Sequence, residues 1–219
     1  MEKWKIGAIS VGLGAVSFLL YKRFAPFSSS VTPIPQAMRQ KMTGLSWHDY
    51  CPVGLDDLVL VRVRYRTYTG LSAMGKLIVN KNVASNLIAA FKDLYEIGFP
   101  IKQIRPITRF NADDPISMRN NNTSVFRCSH REKESKDKRG TWSEHARGEA
   151  IDINPLVNPF VMGSGKVVPV EGEKYANRDI KVEGMVTPEV VEIFKKHGWK
   201  WGGNWKSSKD YQHFSIGGR

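Results

Sequence analysis

The chain has 219 residues, which is enough for one domain with appendages, and it contains no internal repeats that would indicate a repeat array. Its 33 Lys and Arg residues outnumber 21 Asp and Glu residues, and the net charge of +12 favours polyanionic partners. Nucleic acid is one such partner, but no recognition helix or base-stacking motif supports it, so we expect no nucleic-acid binding.

The N-terminal segment is an apolar run between basic residues. Lys3 and Lys5 precede the apolar residues 6–21, and Lys22 and Arg23 follow them. The run is shorter than the roughly 20 residues of a spanning helix but long for the apolar part of a signal peptide. We predict that residues 1–25 form an export signal, favouring an uncleaved anchor over a cleaved peptide. A soluble helix that is apolar on all faces is the alternative.

Residues 26–50 have the composition of a linker. Pro26, Pro33 and Pro35 and the serines at 28–30 disfavour regular structure. We therefore predict a tether here and a catalytic domain over residues 51–219.

The first half of this domain has both strand and helix patterns. Residues 58–66 alternate apolar and basic side chains, which predicts a strand with one wet face. Residues 76–80 predict a short second strand, and residues 83–97 have helical spacing. Residues 101–110 are predicted to be extended.

A second helix is predicted near the C-terminus. Thr187 is a typical N-cap, Pro188 suits the first helical position, and Gly198 closes the helix. Helices placed between antiparallel strands predict a single small α+β domain, with its site on the exposed face of the sheet.

Two separated segments hold residues that can build a zinc site. Residues 143–155 contain His145 and Asp152, and residues 210–214 contain Asp210 and His213. Catalytic zinc takes three N, O or S ligands from the protein and keeps a fourth position for water. His145, Asp152 and His213 can supply the three ligands, which leaves Asp210 to act on the water. A lone His beside a lone Asp is more often an ordinary polar pair, and spacing alone leaves that alternative open.

The local pattern supports convergence of these side chains. Ile151 and Ile153 flank Asp152, so in a strand the isoleucines enter the core while Asp152 faces a cleft. Gly148 allows a sharp turn between His145 and Asp152. Asp210 is predicted to lie in a loop rich in Gly, Ser and Lys, where it can lean over the metal.

These residues resemble a known family. Ser143-x-His145-x-x-Gly148-x-Ala150-x-Asp152, followed by Asp210-x-x-His213-Phe214, is similar to the zinc D-alanyl-D-alanine carboxypeptidases and L-alanyl-D-glutamate endopeptidases of bacterial cell-wall metabolism. The similarity covers roughly residues 70–216. Three further segments resemble the endopeptidase-type branch: Asp114-x-x-Ser117-Met118, Asn121-Asn122-Thr123-Ser124 and Gly198-Trp199-x-Trp201-Gly202-Gly203-x-Trp205.

The resemblance implies a fold like that of hedgehog and DD-peptidase domains, and it implies roles for single residues. His145, Asp152 and His213 would bind Zn²⁺, although the same ligands accept other divalent ions. Asp210 would be the general base and acid, and Ser143 would bind substrate. An endopeptidase cutting L-Ala–D-Glu is favoured over a D-Ala–D-Ala carboxypeptidase.

The chain departs from the family pattern at the arginine that steadies the oxyanion or the substrate carboxylate. The position expected for it holds Ser129. Arg127, two residues earlier and so on the same strand face, is the candidate replacement, and Arg131 is a second one. Asn204 and Ser215 also stand where acidic residues are common. These departures motivate an alternative function, a wall-binding protein that keeps the fold but has impaired catalysis.

The two cysteines and the charge bear on location. Cys51 and Cys128 can pair in an oxidising compartment, or both can remain buried thiols. Residues 1–30 contribute +3 of the net charge, so +9 remains on the rest of the chain. We expect an exported protein, membrane-anchored or secreted into the wall, that acts as a monomer on peptidoglycan. Anionic wall polymers, and the membrane through the N-terminal segment, are its further expected partners.

Overall fold

A computed structural model of the chain describes residues 25–129 and 141–218. The predicted anchor lies outside the described residues except for Ala25, and so does the second arginine candidate, Arg131. In the described part of the chain, no helix has both the length and the apolar character needed to cross a membrane.

The largest sheet has three antiparallel strands in the order β1–β2–β3. They are Ser29–Pro33 (β1), Leu58–Arg66 (β2) and Ser72–Asn80 (β3). Strand β2 has the predicted bounds, whereas β3 begins four residues earlier than predicted because it pairs with β2 along its whole length. Helix α2 (Ala84–Glu96) packs against β2 and confirms the predicted helix.

Both faces of β2 contribute to buried clusters. Val61 and Val63 face the main core together with Leu87 and Phe91 of α2. On the opposite face a second apolar cluster begins with Leu58 and continues with residues from other segments: Ile34, Met42, Leu60, Ile78, Phe126, Cys128 and Ala146. The face of β2 that we predicted to be exposed to solvent is therefore covered near Leu58, at the start of the strand. It is exposed only at the arginines that follow.

The prediction of a tether without regular structure over residues 26–50 is wrong. Strand β1 pairs with β2 along the edge of the sheet, and helix α1 (Gln36–Met42) follows it. Met42 is buried in the second cluster, and the Tyr95 hydroxyl donates to the Ala25 carbonyl at 2.5 Å. Prolines are tolerated on edge strands, because the backbone N–H that they lack would there face solvent instead of a neighbouring strand. The folded unit therefore includes this segment.

A second antiparallel sheet carries the candidate ligands. Its strands are Ala150–Asp152 (β6), His213–Ser215 (β11) and Lys200–Trp201 (β9), in the order β6–β11–β9. Helix α5 (Pro188–Lys196) begins as predicted, since the Thr187 hydroxyl caps it by accepting from the Val190 N–H at 3.4 Å.

The segment predicted to be extended at 101–110 forms mostly other structure. Only Gln103–Ile104 (β4) is a strand, and it pairs in parallel with Asn122–Thr123 (β5). Ile107–Phe110 forms a 3₁₀ helix that ends at Asn111, whose φ of 55° reverses the chain. Helix α3 (Asp114–Arg119) then leads back toward β5. These local turns are stabilised by polar contacts that an apolar pattern does not encode.

The remaining strands close one side of the site. Phe160–Val161 (β7), Val167–Val168 (β8) and Lys209–Asp210 (β10) form a sheet in the order β10–β7–β8. Asp210 therefore lies in a short strand paired with Phe160, not in the predicted loop. Together with helix α4 (Glu144–Arg147), these elements confirm an α+β fold built mainly from antiparallel sheets.

The two cysteines form a disulfide between Cys51 and Cys128, which settles the alternative that the sequence left open. The bond joins the segment after α1 to residues 125–129, which follow β5 and precede His145 in the chain. Cys128 is fully buried, and its backbone N–H also donates to the Ser46 carbonyl.

Candidate metal centre and cleft

His145 is held by a short helix with defined ends. The Ser143 hydroxyl caps α4 by accepting from the His145 backbone N–H at 3.2 Å. Gly148 ends the helix with a φ of 71°, and its carbonyl accepts from the Asn80 N–H of β3. A Cβ at this glycine would lie 2.8 Å from the Asn80 nitrogen, so the predicted turn requires glycine for both conformation and space.

Asp152 and His213 meet through strand register. They are directly opposite one another in the antiparallel pair of β6 and β11. Their neighbours Ile151 and Phe214 are fully buried in the main core, so the alternation of a strand turns both ligand candidates toward the other face. The predicted arrangement around Asp152 is confirmed.

The three side chains converge on one point. His145 Nε2 lies 3.2 Å from His213 Nδ1 and 3.2 Å from Asp152 Oδ2, and His213 Nδ1 lies 3.3 Å from Asp152 Oδ1. Ligand atoms bound tetrahedrally to zinc at its usual bond lengths are about 3.3 Å apart. All three residues are buried, and this His–Asp–His group can hold a metal ion.

A hydrogen bond behind His145 fixes which of its nitrogens faces the group. Its Nδ1 lies 2.7 Å from the Val125 carbonyl oxygen, which can only accept, so Nδ1 carries the proton. The Nε2 lone pair is then available to a metal, and the carbonyl orients the ring, as is usual for metal-binding histidines.

The electrostatics favour an ionised Asp152. Burial opposes its ionisation, but in the metal-free protein the electrostatic attraction of the His145 ring and hydrogen bonds with the His145 and His213 rings outweigh burial and hold the pKa of Asp152 well below its usual range. A bound metal ion would supply the positive charge in place of a second ring proton on His145. An anionic carboxylate is the form that binds a cation.

Asp210 lies at the same cavity but belongs to another sheet. Gly202 packs against it so closely that a Cβ would lie 2.9 Å from the Cβ of Asp210 and 3.2 Å from that of His213. Burial raises the pKa of Asp210 to about 7, with the negative charge of Asp152 acting in the same direction and His213 opposing it. A carboxyl with a pKa near neutrality suits proton transfer at neutral pH.

The arginine candidate also reaches the cavity. Arg127 Nη2 lies 3.0 Å from Asp114 Oδ2, and both side chains line the cavity with Ser143. The Arg127 backbone N–H donates to the His145 carbonyl, so the arginine and the first ligand are linked directly. Burial raises the pKa of Asp114, and Arg127 opposes that shift.

The cavity has a volume of about 350 Å³. The sequence predicted some of the residues that line it but not others. Glu144 and Gln212 also line the cavity. The only feature of the sequence that indicates this is their position next to His145 and His213. Trp205, whose ring lies 5.3 Å from that of His213, lines the cavity, whereas Trp199 is buried in the main core. Trp142 and Asp114 reach the cavity through tertiary packing alone.

The three residues at which the chain departs from the family pattern do not line this cavity. Among the described residues, Ser129, Asn204 and Ser215 do not border the cavity. The Ser129 carbonyl accepts from the Tyr50 hydroxyl, and the Ser215 hydroxyl accepts from the Gly218 N–H. These two residues thus serve local structure.

Taken together, the fold and the site define an α+β protein with a buried His–Asp–His group that can hold a metal ion at the base of a cleft. A carboxyl with a raised pKa stands beside that group.

Comparison with known families found one similarity. Residues 136–216 match the model of the family described as D-alanyl-D-alanine carboxypeptidase, so this segment is similar to the peptidases that the motifs resemble. The match contains the three ligand candidates, Ser143 and Asp210, whereas Asp114 and Arg127 precede it. No solved structure matches the chain.

Proposed function

We propose that the chain is a zinc metallopeptidase that hydrolyses peptide bonds in peptidoglycan stem peptides. The observation that carries this proposal is the set of three ligand atoms 3.2–3.3 Å apart beside a buried carboxyl. The family match over the same residues supports peptidase chemistry.

The chain's own residues supply the rest of the reaction. When bound, zinc would lower the pKa of a water molecule and polarise the scissile carbonyl. His145, Asp152 and His213 would hold it, and Asp210 would accept the proton of the attacking water and return it to the leaving amine. The Arg127 guanidinium, oriented by Asp114, would donate hydrogen bonds to the developing oxyanion.

We favour an L-Ala–D-Glu endopeptidase over a D-Ala–D-Ala carboxypeptidase because residues 114–118, 121–124 and 198–205 resemble the endopeptidase-type branch. Both substrates carry a free carboxylate next to the scissile bond, since D-Glu is linked onward through its γ-carboxyl. Arg127, the only Lys or Arg of the described lining, therefore does not separate the two activities.

A catalytically impaired wall-binding protein is the second candidate. Ser129 in the expected arginine position favours it. The complete ligand set and the pKa of Asp210 favour catalysis instead, because binding alone uses neither.

We propose that the protein works outside the cytoplasm, anchored by its N-terminal segment or secreted, and as a monomer. The Cys51–Cys128 disulfide supports an oxidising compartment. The basic charge supports contact with anionic wall polymers in addition to peptidoglycan.

Elemental analysis of the full chain tests the metal site. We expect about one zinc per chain in the wild type, near-complete loss in His145→Ala, and retention in the matched control His197→Ala, whose ring contacts Asp93 instead of the cavity. A wild type that is folded but binds no zinc would exclude the peptidase mechanism.

Wall digestion then separates the activities. Release of peptides that begin at D-Glu, with L-Ala left on the glycan, would be detected by mass spectrometry and indicates an L-Ala–D-Glu endopeptidase. Release of single alanines indicates a carboxypeptidase. If Asp210→Asn digests walls as fast as the wild type, the role of Asp210 is refuted. If zinc-loaded wild type binds walls without digesting them, the wall-binding function replaces the peptidase.

A further inference from the structure

The sheet face that points away from helix α2 carries three cations without acidic partners. Arg62 of β2 is exposed and stands opposite exposed Lys76 of β3, and Arg64 follows two residues later on the same face. Strands β1, β2 and β3 contain no Asp or Glu. Within residues 25–129 and 141–218, none of these three side chains has an ion pair. This surface, which we call the cationic face, therefore offers positive charge that the described fold leaves unpaired.

An apolar side chain lies among these cations. Met74 of β3 stands opposite Arg64 and is 47% exposed. A membrane surface matches this combination, because anionic headgroups pair with Lys and Arg while an apolar side chain reaches the acyl boundary. A polyanion dissolved in water matches the cations alone.

The covalent chain holds the fold close to the predicted membrane anchor. The apolar run ends at Tyr21, whereas Ala25 is already buried and its carbonyl accepts from the Tyr95 hydroxyl at 2.5 Å. Four residues span at most about 14 Å. If the apolar run anchors the chain, the part of the fold around Ala25 lies near the lipid surface.

Ala25 lies at the end of the sheet that carries the cations. The Tyr95 hydroxyl, which donates to the Ala25 carbonyl, is also 2.6 Å from the Ser72 hydroxyl, and Ser72 stands opposite Arg66. Arg62 precedes Arg66 by only four residues of β2, or about 13 Å. The anchor and the cationic face therefore meet at one end of the domain.

We propose that the cationic face docks on the anionic phospholipid of the membrane that anchors the chain. This inference rests on the proposed membrane anchoring, and it adds which surface of the domain contacts lipid. Each Lys or Arg near an anionic surface strengthens binding about fivefold, so the three together contribute on the order of 100-fold. Because the anchor already holds the face near the surface, docking is an intramolecular step for which weak contacts suffice.

Amine labelling of the full chain in vesicles tests the docking. The chain is reconstituted into phosphatidylcholine vesicles and into vesicles of phosphatidylcholine mixed with phosphatidylglycerol, and a water-soluble amine-reactive ester is added. Mass spectrometry then gives the labelling rate of each lysine. We expect Lys76 to react about fivefold or more slowly in the anionic vesicles, while exposed Lys206, beside the cavity residue Trp205, reacts equally in both.

A double variant that keeps Lys76 as the reporter locates the effect. Arg62→Gln with Arg64→Gln should reduce the protection of Lys76 to less than about twofold. Lys166→Gln with Lys200→Gln removes two exposed cations outside the cationic face and should leave the protection unchanged. Adding about 0.5 M NaCl to the wild type should also remove the protection, which provides an independent check if the double variant does not fold.

Flotation with the vesicles distinguishes failure of the docking from failure of the anchoring. A full chain that floats with neither vesicle would refute the anchoring and the docking together. A chain that floats with both, with Lys76 labelled equally fast in both, would overturn the docking and leave the anchoring standing.

Two other occupants of the face would also overturn the proposal. Protection of Lys76 by dissolved poly(glycerol phosphate) but not by anionic vesicles would assign the face to a wall polymer. Protection in neutral vesicles that increases with protein density would assign it to a second copy of the chain.

Discussion

At the scale of single residues, Asp210 links catalysis to stability. Its pKa is 3.8 in the unfolded chain and about 7 in the folded, metal-free protein, because burial favours the neutral acid. The folded state therefore binds this proton more tightly. The resulting stability is fully present below pH 3.8 and is lost as the pH rises toward 7.

Replacing Asp210 tests this linkage. Asn mimics the neutral acid, so the stability advantage of metal-free Asp210→Asn over metal-free wild type should be larger at pH 8 than at pH 4, by on the order of 4 kcal/mol. Urea unfolding at the two pH values measures the change, and the exposed Asp179→Asn is the matched control. An Asp210→Asn effect equal at both pH values would show that Asp210 does not titrate in this range.

Gly202 provides a second residue-scale prediction. In Gly202→Ala the new Cβ would lie 2.8 Å from the Asp210 carbonyl oxygen and 3.2 Å from the His213 Cβ. Strands β10 and β11, which carry these two residues, must therefore move apart. We expect a loss of about 1–3 kcal/mol in stability and weaker zinc binding, measured by unfolding and by competition with a chelator.

Gly54→Ala is the control for this substitution. Its Cβ meets no atom closer than 3.5 Å and its φ is −75°, so stability and zinc affinity should both remain near wild type. Zinc affinity unchanged in Gly202→Ala would mean that the metal group does not depend on this close contact.

At the scale of elements, the N-terminal segment is part of the folded unit. Strand β1 contributes a full set of pairings to β2, and Ile34 and Met42 fill the second cluster. Burying one such side chain stabilises a protein by about 1.5–3 kcal/mol. A chain that begins at residue 51 also lacks β1 and exposes the edge of β2.

Truncation measures this contribution. A chain beginning at residue 25 should unfold cooperatively at the temperature of the full chain, whereas one beginning at residue 51 should aggregate or unfold at a much lower temperature. Circular dichroism and light scattering provide the readout. Equal melting of the two would restore the view of residues 26–50 as a tether.

The elements also show which features a sequence can predict. Strand β2 and helices α2 and α5 were predictable because alternation, helical spacing and a Thr-Pro cap are local signals. Strand β1 was not, because its prolines argue against a strand until its position at the sheet edge is known. The placement of Asp210 in β10 depends on a partner strand far away in the chain.

The candidate site likewise contains residues that local sequence patterns predict and residues that only tertiary packing brings together. His145, Asp152 and His213 were identified because their residue types and spacing suit a metal, and strand alternation predicted their shared face. The Asp114–Arg127 pair and the unpartnered oxygens of Glu144 and Gln212 arise where separate elements pack together. Hydrogen bonds of this kind leave no periodic pattern in a sequence.

At the scale of the whole molecule, the disulfide joins the N-terminal segment to the catalytic cleft. Cys128 adjoins Arg127, whose backbone N–H donates to the His145 carbonyl. The bond spans 77 residues of sequence, and a cross-link over such a loop typically stabilises a protein by about 2–4 kcal/mol. It therefore supports both the domain and the position of the arginine.

Removing both cysteines separates these two effects. The double variant Cys51→Ser with Cys128→Ser should melt about 5–15 °C below the wild type. Well below its melting temperature it should keep about one zinc per chain, because the ligands are held by β6, β11 and α4. Its kcat should fall more than its zinc content, since the segment that carries Arg127 loses its covalent anchor.

Reductant should lower the melting temperature of the wild type but not that of the double variant. An unchanged melting temperature in the double variant would mean that the second apolar cluster alone holds this segment in place.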